Sequence, residues 1–190
     1  MNSRWHQLIP FGAGGPAGVA IAAQARVLRP TQQLELHFRV RGAGTLLLPE
    51  RLERPSQPER RDGLWEHTCL EAFVSPEPEG YWEFNLAPSG HWNVYRLEGY
   101  RQGLVPEHFY DALPMAISRG DAPGAGESEG DTLELSLRCP LPPPLAEAAE
   151  LQVGLTAVLE TRSGTLSYWA LHHPGPEADF HLRDGWSLRL

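Results

Sequence analysis

The sequence predicts an all-β fold, a two-sheet antiparallel β-sandwich. Three features point there: period-two alternation of apolar and polar residues, glycine and proline between the alternating runs, and short turn-like links joining consecutive runs. The chain has 190 residues, the size of one domain spanning 1–190, since a typical domain holds roughly 100–200 residues. Hydrophobic residues make up 41% and charged residues 21%, a mix that buries a core instead of staying disordered. The 19 glycines and 18 prolines fall mostly between apolar runs and argue against a helical bundle.

Taken in order, AIAAQARVL fits a strand or a short helix by composition, and its glycine- and proline-rich flanks select strand. QQLELHFRVR alternates most clearly, with Leu34, Leu36, Phe38 and Val40 on one face and Glu35, His37, Arg39 and Arg41 on the other. Further strands are expected over Thr45–Leu48, Trp65–Ser75, Tyr81–Ala87, Trp92–Leu97, Thr132–Cys139, Leu151–Glu160 and Thr165–His172. SPEPEG, APSG and TRSG read as the turns of antiparallel hairpins. Arg51–Gly63 and Arg119–Gly130 read as long surface loops, and PLPPPLAEAAE as one helical turn following Pro144.

The net charge of −8 and the lack of a basic patch exclude a nucleic acid or an anionic membrane surface as the expected partner. Arg51, Arg54, Arg60 and Arg61 alternate with Glu50, Glu53, Glu59 and Asp62, the pattern of a solvated loop. No stretch reaches the roughly 20 apolar residues of a membrane span. Pro10 and Pro16 break the apolar N-terminal segment, so it makes a poor secretory leader. Cys69 and Cys139 are expected to be buried and reduced, and the expected location is the cytoplasm.

The candidate site lies between Leu64 and Arg101. Trp82, Phe84 and Leu86 share one face of YWEFNL, leaving Tyr81, Glu83 and Asn85 on the other. In the preceding strand Leu70, Ala72 and Val74 take the apolar face, and Cys69, Glu71 and Phe73 the opposite one. A hairpin aligning the apolar faces places Leu70 opposite Phe84, Ala72 opposite Trp82 and Glu71 opposite Glu83. Like charges so opposed destabilise a sheet, and call for an arginine, a cation, a shared proton or a ligand's hydroxyl groups. Arg96 is the nearest arginine: a two-residue Ser89-Gly90 turn brings it opposite Glu83, whereas a longer turn puts Tyr95 there. The alternative is a solvated sheet face whose carboxylates simply pair with an arginine. Trp65, Trp92 and Trp169 are candidate stacking surfaces for a polar ring. Asp179 and His181 could converge with a third residue on a divalent ion, whereas the adjacent His172 and His173 cannot share one.

LWEHTCLEAF, YWEFNLAPSGHWNVYR and SYWALHHPGPEADFHLRD resemble the DOMON-like proteins found widely in bacteria, which are related in fold to family 9 carbohydrate-binding modules. The resemblance runs from about Leu8 to Leu190. It implies a sandwich with a ligand site at its concave face or rim, for a sugar or, in some relatives, haem, and it implies no reaction. Carried over, the sugar contacts become Glu71, Glu83 and Asn85, with Trp169, Trp65 or Trp92 clamping the ring. The sequence reading is therefore a non-catalytic domain for a carbohydrate-like small molecule, with no cofactor. Its alternatives are a haem or metal carrier using His67, His172 or His181, and a sugar-processing enzyme using Glu71 and Glu83 as an acid–base pair. Met115 is the only internal methionine, and no covalent haem motif occurs.

Overall fold

Twelve strands and one short helix account for the regular structure in the computed structural model, which describes residues 4–49, 58–76, 80–120 and 131–190. They are β1 (His6–Pro10), β2 (Ala20–Leu28), β3 (Gln33–Arg41), β4 (Cys69–Ser75), β5 (Tyr81–Leu86), β6 (Trp92–Leu97), β7 (Val105–Pro106) and β8 (Met115–Gly120). After these come β9 (Thr132–Pro140), α1 (Pro143–Glu147), β10 (Gln152–Glu160), β11 (Leu166–Ala170) and β12 (Leu188–Arg189). All pairings between these strands are antiparallel.

The strands follow one continuous hydrogen-bonded order, β7-β6-β5-β4-β10-β11-β1-β2-β3-β9-β8, with β12 beside β10. The expectation of two sheets thus meets a seam: His6, Gln7 and Leu8 of β1 pair with β2, while Ile9 and Pro10 pair with β11. The sheet curls so that both wings bury side chains in one cluster, with Leu34, Leu36, Phe38, Leu133 and Leu135 from one wing and Leu70, Phe84, Val153 and Leu155 from the other. Each such leucine or phenylalanine, fully buried, contributes about 1.5–3 kcal/mol relative to exposure.

Alternation in β3 translates directly into packing, since Leu34, Leu36, Phe38 and Val40 are all buried and Arg41 is exposed. β4 and β5 differ because both of their faces are covered. The second cover is an aromatic cluster of Phe73, Tyr81, Tyr95, Leu97 and Trp186, with Phe180 packed against it. Trp186 stacks on Phe73 at 5.5 Å and meets Tyr81 edge-on at 5.1 Å. Its indole Nε1 donates to the Phe180 carbonyl at 2.8 Å, and its own carbonyl accepts from Gln152 Nε2 at 3.0 Å. The segment after β11 therefore folds back over the face that the sequence alone presents as open.

Several expected elements change. Thr45–Leu48 is not a strand: Ala43–Thr45 is a 3-10 turn, and Leu46 makes a single bridge to Thr161. β4 starts at Cys69 because Leu64–Glu66 is a second 3-10 turn. β1, β7, β8 and β12 were not expected, and β8 absorbs Arg119 and Gly120 from the expected second loop. The remainder of that loop, 121–130, and 51–57 of the first lie outside the described residues. Arg60 is no solvated loop residue: its guanidinium donates to Asn93 Oδ1, Val94 O, Glu107 O and Tyr110 O and lies 4.4 Å over the Trp92 ring. Among the described residues no helix is long and apolar enough to cross a membrane.

Candidate functional site

The β4–β5 hairpin has the expected facing but not the expected register. Leu70 pairs with Leu86, Ala72 with Phe84 and Val74 with Trp82, so Glu71 lies opposite Asn85 and Glu83 opposite Phe73. Glu71 and Glu83 are thus diagonal neighbours on one face instead of directly opposed. A two-residue slip preserves which face every side chain takes, which is why the alternation alone did not exclude it. It also relieves the direct like-charge contact, since an amide now stands across from Glu71.

Both carboxyl groups are buried, at 2% and 5% residual exposure, and each keeps one fixed partner. Thr156 of β10, in register with Glu71, donates its hydroxyl to Glu71 Oε2 at 3.1 Å. Asn85 donates Nδ2 to Glu83 Oε1 at 2.8 Å, and its Oδ1 accepts the Cys69 thiol at 3.5 Å. The other two oxygens, Glu71 Oε1 and Glu83 Oε2, are buried with no hydrogen-bond partner among the described residues. An unsatisfied buried acceptor costs about 1–3 kcal/mol, so these two atoms are the candidate contact points of the site.

Both glutamates line a cavity of about 500 Å³, within the roughly 300–1,000 Å³ of small-molecule sites. Its apolar walls include Trp65, Phe73, Tyr168 and Phe180, and Arg101 and His181 stand among its polar groups. A second hollow of about 710 Å³ shares Trp65 and Glu66 with it. The unpartnered carboxylate oxygens belong to the first, which is therefore the candidate site.

Electrostatics follow from burial. Burial pushes the Glu71 carboxyl up to about 8, the charge on Glu83 adds to this, and the Thr156 hydrogen bond opposes it. Burial also raises Glu83, opposed by its bond from Asn85 and by the charge of Arg101. At neutral pH Glu71 is thus a neutral acid, able to donate as well as accept. His181 is driven down to about 4 by burial and by Arg101, so its ring is neutral, and its Nδ1 lies 2.7 Å from Tyr81 Oη.

Four of the expected site residues come together. Glu71 and Glu83 line the cavity, Trp65 is partly exposed at its edge, 5.8 Å from Tyr95, and Asn85 lies fully buried beneath, holding Glu83 without facing the cavity. Three do not join them. Trp92 pairs with Leu86 on the core side and is 1% exposed. Trp169 is in the core at 4%, its Nε1 donating to Ser167 Oγ, because β11 alternates and turns the adjacent Tyr168 to the cavity instead. Arg96 is exposed and lies opposite Trp82, since a three-residue turn closed by Gly90, at φ 87°, puts Tyr95 opposite Glu83.

The cation that does influence Glu83 is Arg101, which the sequence reading did not single out. It holds a left-handed backbone at φ 51° and donates Nη2 to Asp179 Oδ1 at 3.0 Å. Tyr100 donates its hydroxyl to Asp179 Oδ2 at 2.5 Å. The Asp179 carboxylate also accepts from the His181 backbone N at 3.0 Å, while the His181 ring turns to Tyr81. Among the described residues no group of three or more histidine, cysteine, aspartate or glutamate side chains gathers for a metal. His67 lies outside the cavity with its Nδ1 2.8 Å from Glu160 Oε2. Both cysteines are free and buried.

No protein-family model matches the chain, and no curated protein matches it in sequence. Among solved structures it is similar to a proposed carbohydrate-binding protein from Bacteroides uniformis ATCC 8492, with a TM-score of 0.65 at 14% identity over 98% of this chain and 84% of that one. A lower similarity, TM-score 0.43 at 10% identity, links 92% of it to 75% of a family 9 carbohydrate-binding module from Caldicellulosiruptor kristjanssonii in complex with cellotriose. At such identity the first likeness is one of architecture, and it establishes that the curled antiparallel fold of this chain is shared with the Bacteroides protein.

Proposed function

We propose that this chain binds a carbohydrate-like small molecule in the carboxylate cavity and does not transform it. The observation that carries the proposal is the pair of unpartnered, buried oxygens, Glu71 Oε1 and Glu83 Oε2, on the wall of a cavity of about 500 Å³. Hydroxyl groups of a sugar satisfy them, and aromatic faces such as Trp65 and Tyr168 supply the stacking surface. The fold shared with a Bacteroides protein described as carbohydrate-binding supports the same reading. So do the motifs resembling DOMON-like proteins, and with them the description of the two wings as a sandwich with β1 as its seam.

Binding without chemistry agrees with the description of the Bacteroides protein as carbohydrate-binding. A cytoplasmic location belongs to the same proposal, supported by two unpaired thiols. Isothermal titration against a panel of monosaccharides is the test, with binding to at least one expected and lost in Glu83→Ala. Absence of heat with every sugar at millimolar concentration defeats the proposal.

A further inference from the structure

The cavity is rich in carboxyl groups and poor in cations. Glu66, Glu71 and Glu83 line it, and Arg101 is the one guanidinium among its described lining residues. Arg101 is already engaged by Asp179 at 3.0 Å, and His181 is held against Tyr81. Neither supplies a hydrogen bond to Glu71 Oε1 or Glu83 Oε2. Diagonal sheet neighbours have Cβ atoms somewhat less than about 7–8 Å apart, a separation that one nitrogen placed between two carboxyl groups can bridge. Phe73, Tyr168, Phe180 and Trp65 meanwhile place aromatic rings in the lining, and the face of an aromatic ring attracts a cation.

A neutral hydroxyl and an ammonium group act differently at such a place. One hydroxyl has a single proton to donate, so it satisfies one orphaned oxygen and brings no counter-charge that would let both carboxyl groups ionise. An ammonium group carries three donors and a positive charge, so it reaches both oxygens and lets both carboxyl groups ionise. We infer that the ligand carries a protonated primary amine seated between Glu71 and Glu83, which makes an amino sugar the class of carbohydrate this cavity takes. The identification of the ring as a sugar rests on the proposed function, whereas the amine is argued from the orphaned oxygens and the carboxyl-rich lining of the cavity.

The supporting electrostatics have a measurable consequence. Burial holds Glu71 protonated in the empty cavity, and an ammonium beside it favours the carboxylate, so binding near pH 7 releases protons. The experiment is isothermal titration of the full chain with two matched pairs, glucosamine against glucose and cyclohexylamine against cyclohexanol. Each titration is run at pH 7 in two buffers of different ionisation enthalpy. In each pair the amine is expected to bind at least about ten-fold tighter, with proton release, and Glu83→Gln is expected to reduce the preference while the fold, checked by circular dichroism, persists. The inference is overturned if neither amine exceeds its neutral counterpart. Glucose bound as tightly as glucosamine overturns it while leaving the sugar reading in place. If both sugars fail and cyclohexylamine alone binds, the amine site stands and the sugar reading falls.

Discussion

Gly154 and Trp186 occupy adjoining space so closely that a Cβ on Gly154 lies 2.3 Å from Cδ1 of the indole. Gly154 sits opposite Phe73 in the β4–β10 ladder, and the missing side chain is what lets Trp186 lie flat on that face and stack on Phe73. The aromatic cluster, and with it one wall of the cavity, depends on this approach. Gly154→Ala is expected to cost about 1–3 kcal/mol, as an overpacked core does, and to shift tryptophan emission to the red. Unchanged emission and an unchanged denaturation midpoint would refute the arrangement.

Stability of the free protein should fall as pH rises between the ordinary carboxyl value of 4.5 and about 8. The native state keeps a proton on Glu71 through this interval while the unfolded chain has lost it, so each pH step favours unfolding. Glu71→Gln removes the titration, and the variant is expected to exceed the parent in stability at pH 9 by at least about 1 kcal/mol, less than the worth of one pKa unit. Urea denaturation of both proteins at pH 5, 7 and 9 measures this, and parallel curves contradict it.

Arg60 joins four acceptors on two other segments: the Asn93 side chain and the carbonyls of Val94, Glu107 and Tyr110. Lysine keeps the charge but not the planar fork. Arg60→Lys is expected to destabilise by about 1–3 kcal/mol, with hydrogen exchange rising first at β7. A shift confined to surface amides elsewhere would count against the role.

Asp179 ties the segment after β11 to Tyr100 and Arg101. Asp179→Ala is expected to weaken that cover locally, by about 1–2 kcal/mol, raising hydrogen exchange around Phe180 and Trp186 while β3 and β9 stay protected. Uniform loss of protection through the whole chain would show that the segment is not a separable cover.

Cys69 and Cys139 are buried, and burial raises both thiols, Cys139 to about 12. Neither is expected to react with a disulfide reagent in the native protein, and both should react once denaturant is added. A thiol titrating in minutes without denaturant would place it at the surface.

Facing was legible in the sequence where one rule governs it. Alternation put Leu34, Leu36, Phe38 and Val40 inside and set Glu71, Glu83 and Asn85 on the face away from Trp82 and Phe84, as the register confirms. It did not identify the ring-bearing residue of β11, because SYWA carries an aromatic on each face and the period alone does not say which face turns inward. Tyr168 therefore stands where Trp169 was expected. Arg101 had no signal beyond its place at the end of a turn, since its effect on Glu83 acts through space and its anchor, Asp179, is 78 residues further along the chain.

Alternation, punctuation and composition by themselves determined that this chain forms antiparallel strands with a greasy inner face and an acidic outer one. Period two is a local property of each strand, and it survives a slip of two residues. Tertiary structure alone decided that Glu71 and Glu83 lie diagonally, that Arg60 is structural, and that the acidic face is roofed by Phe180, His181 and Trp186. Those outcomes depend on turn geometry and on contacts between segments far apart in the chain, where burial turns two ordinary carboxyl groups into a candidate site.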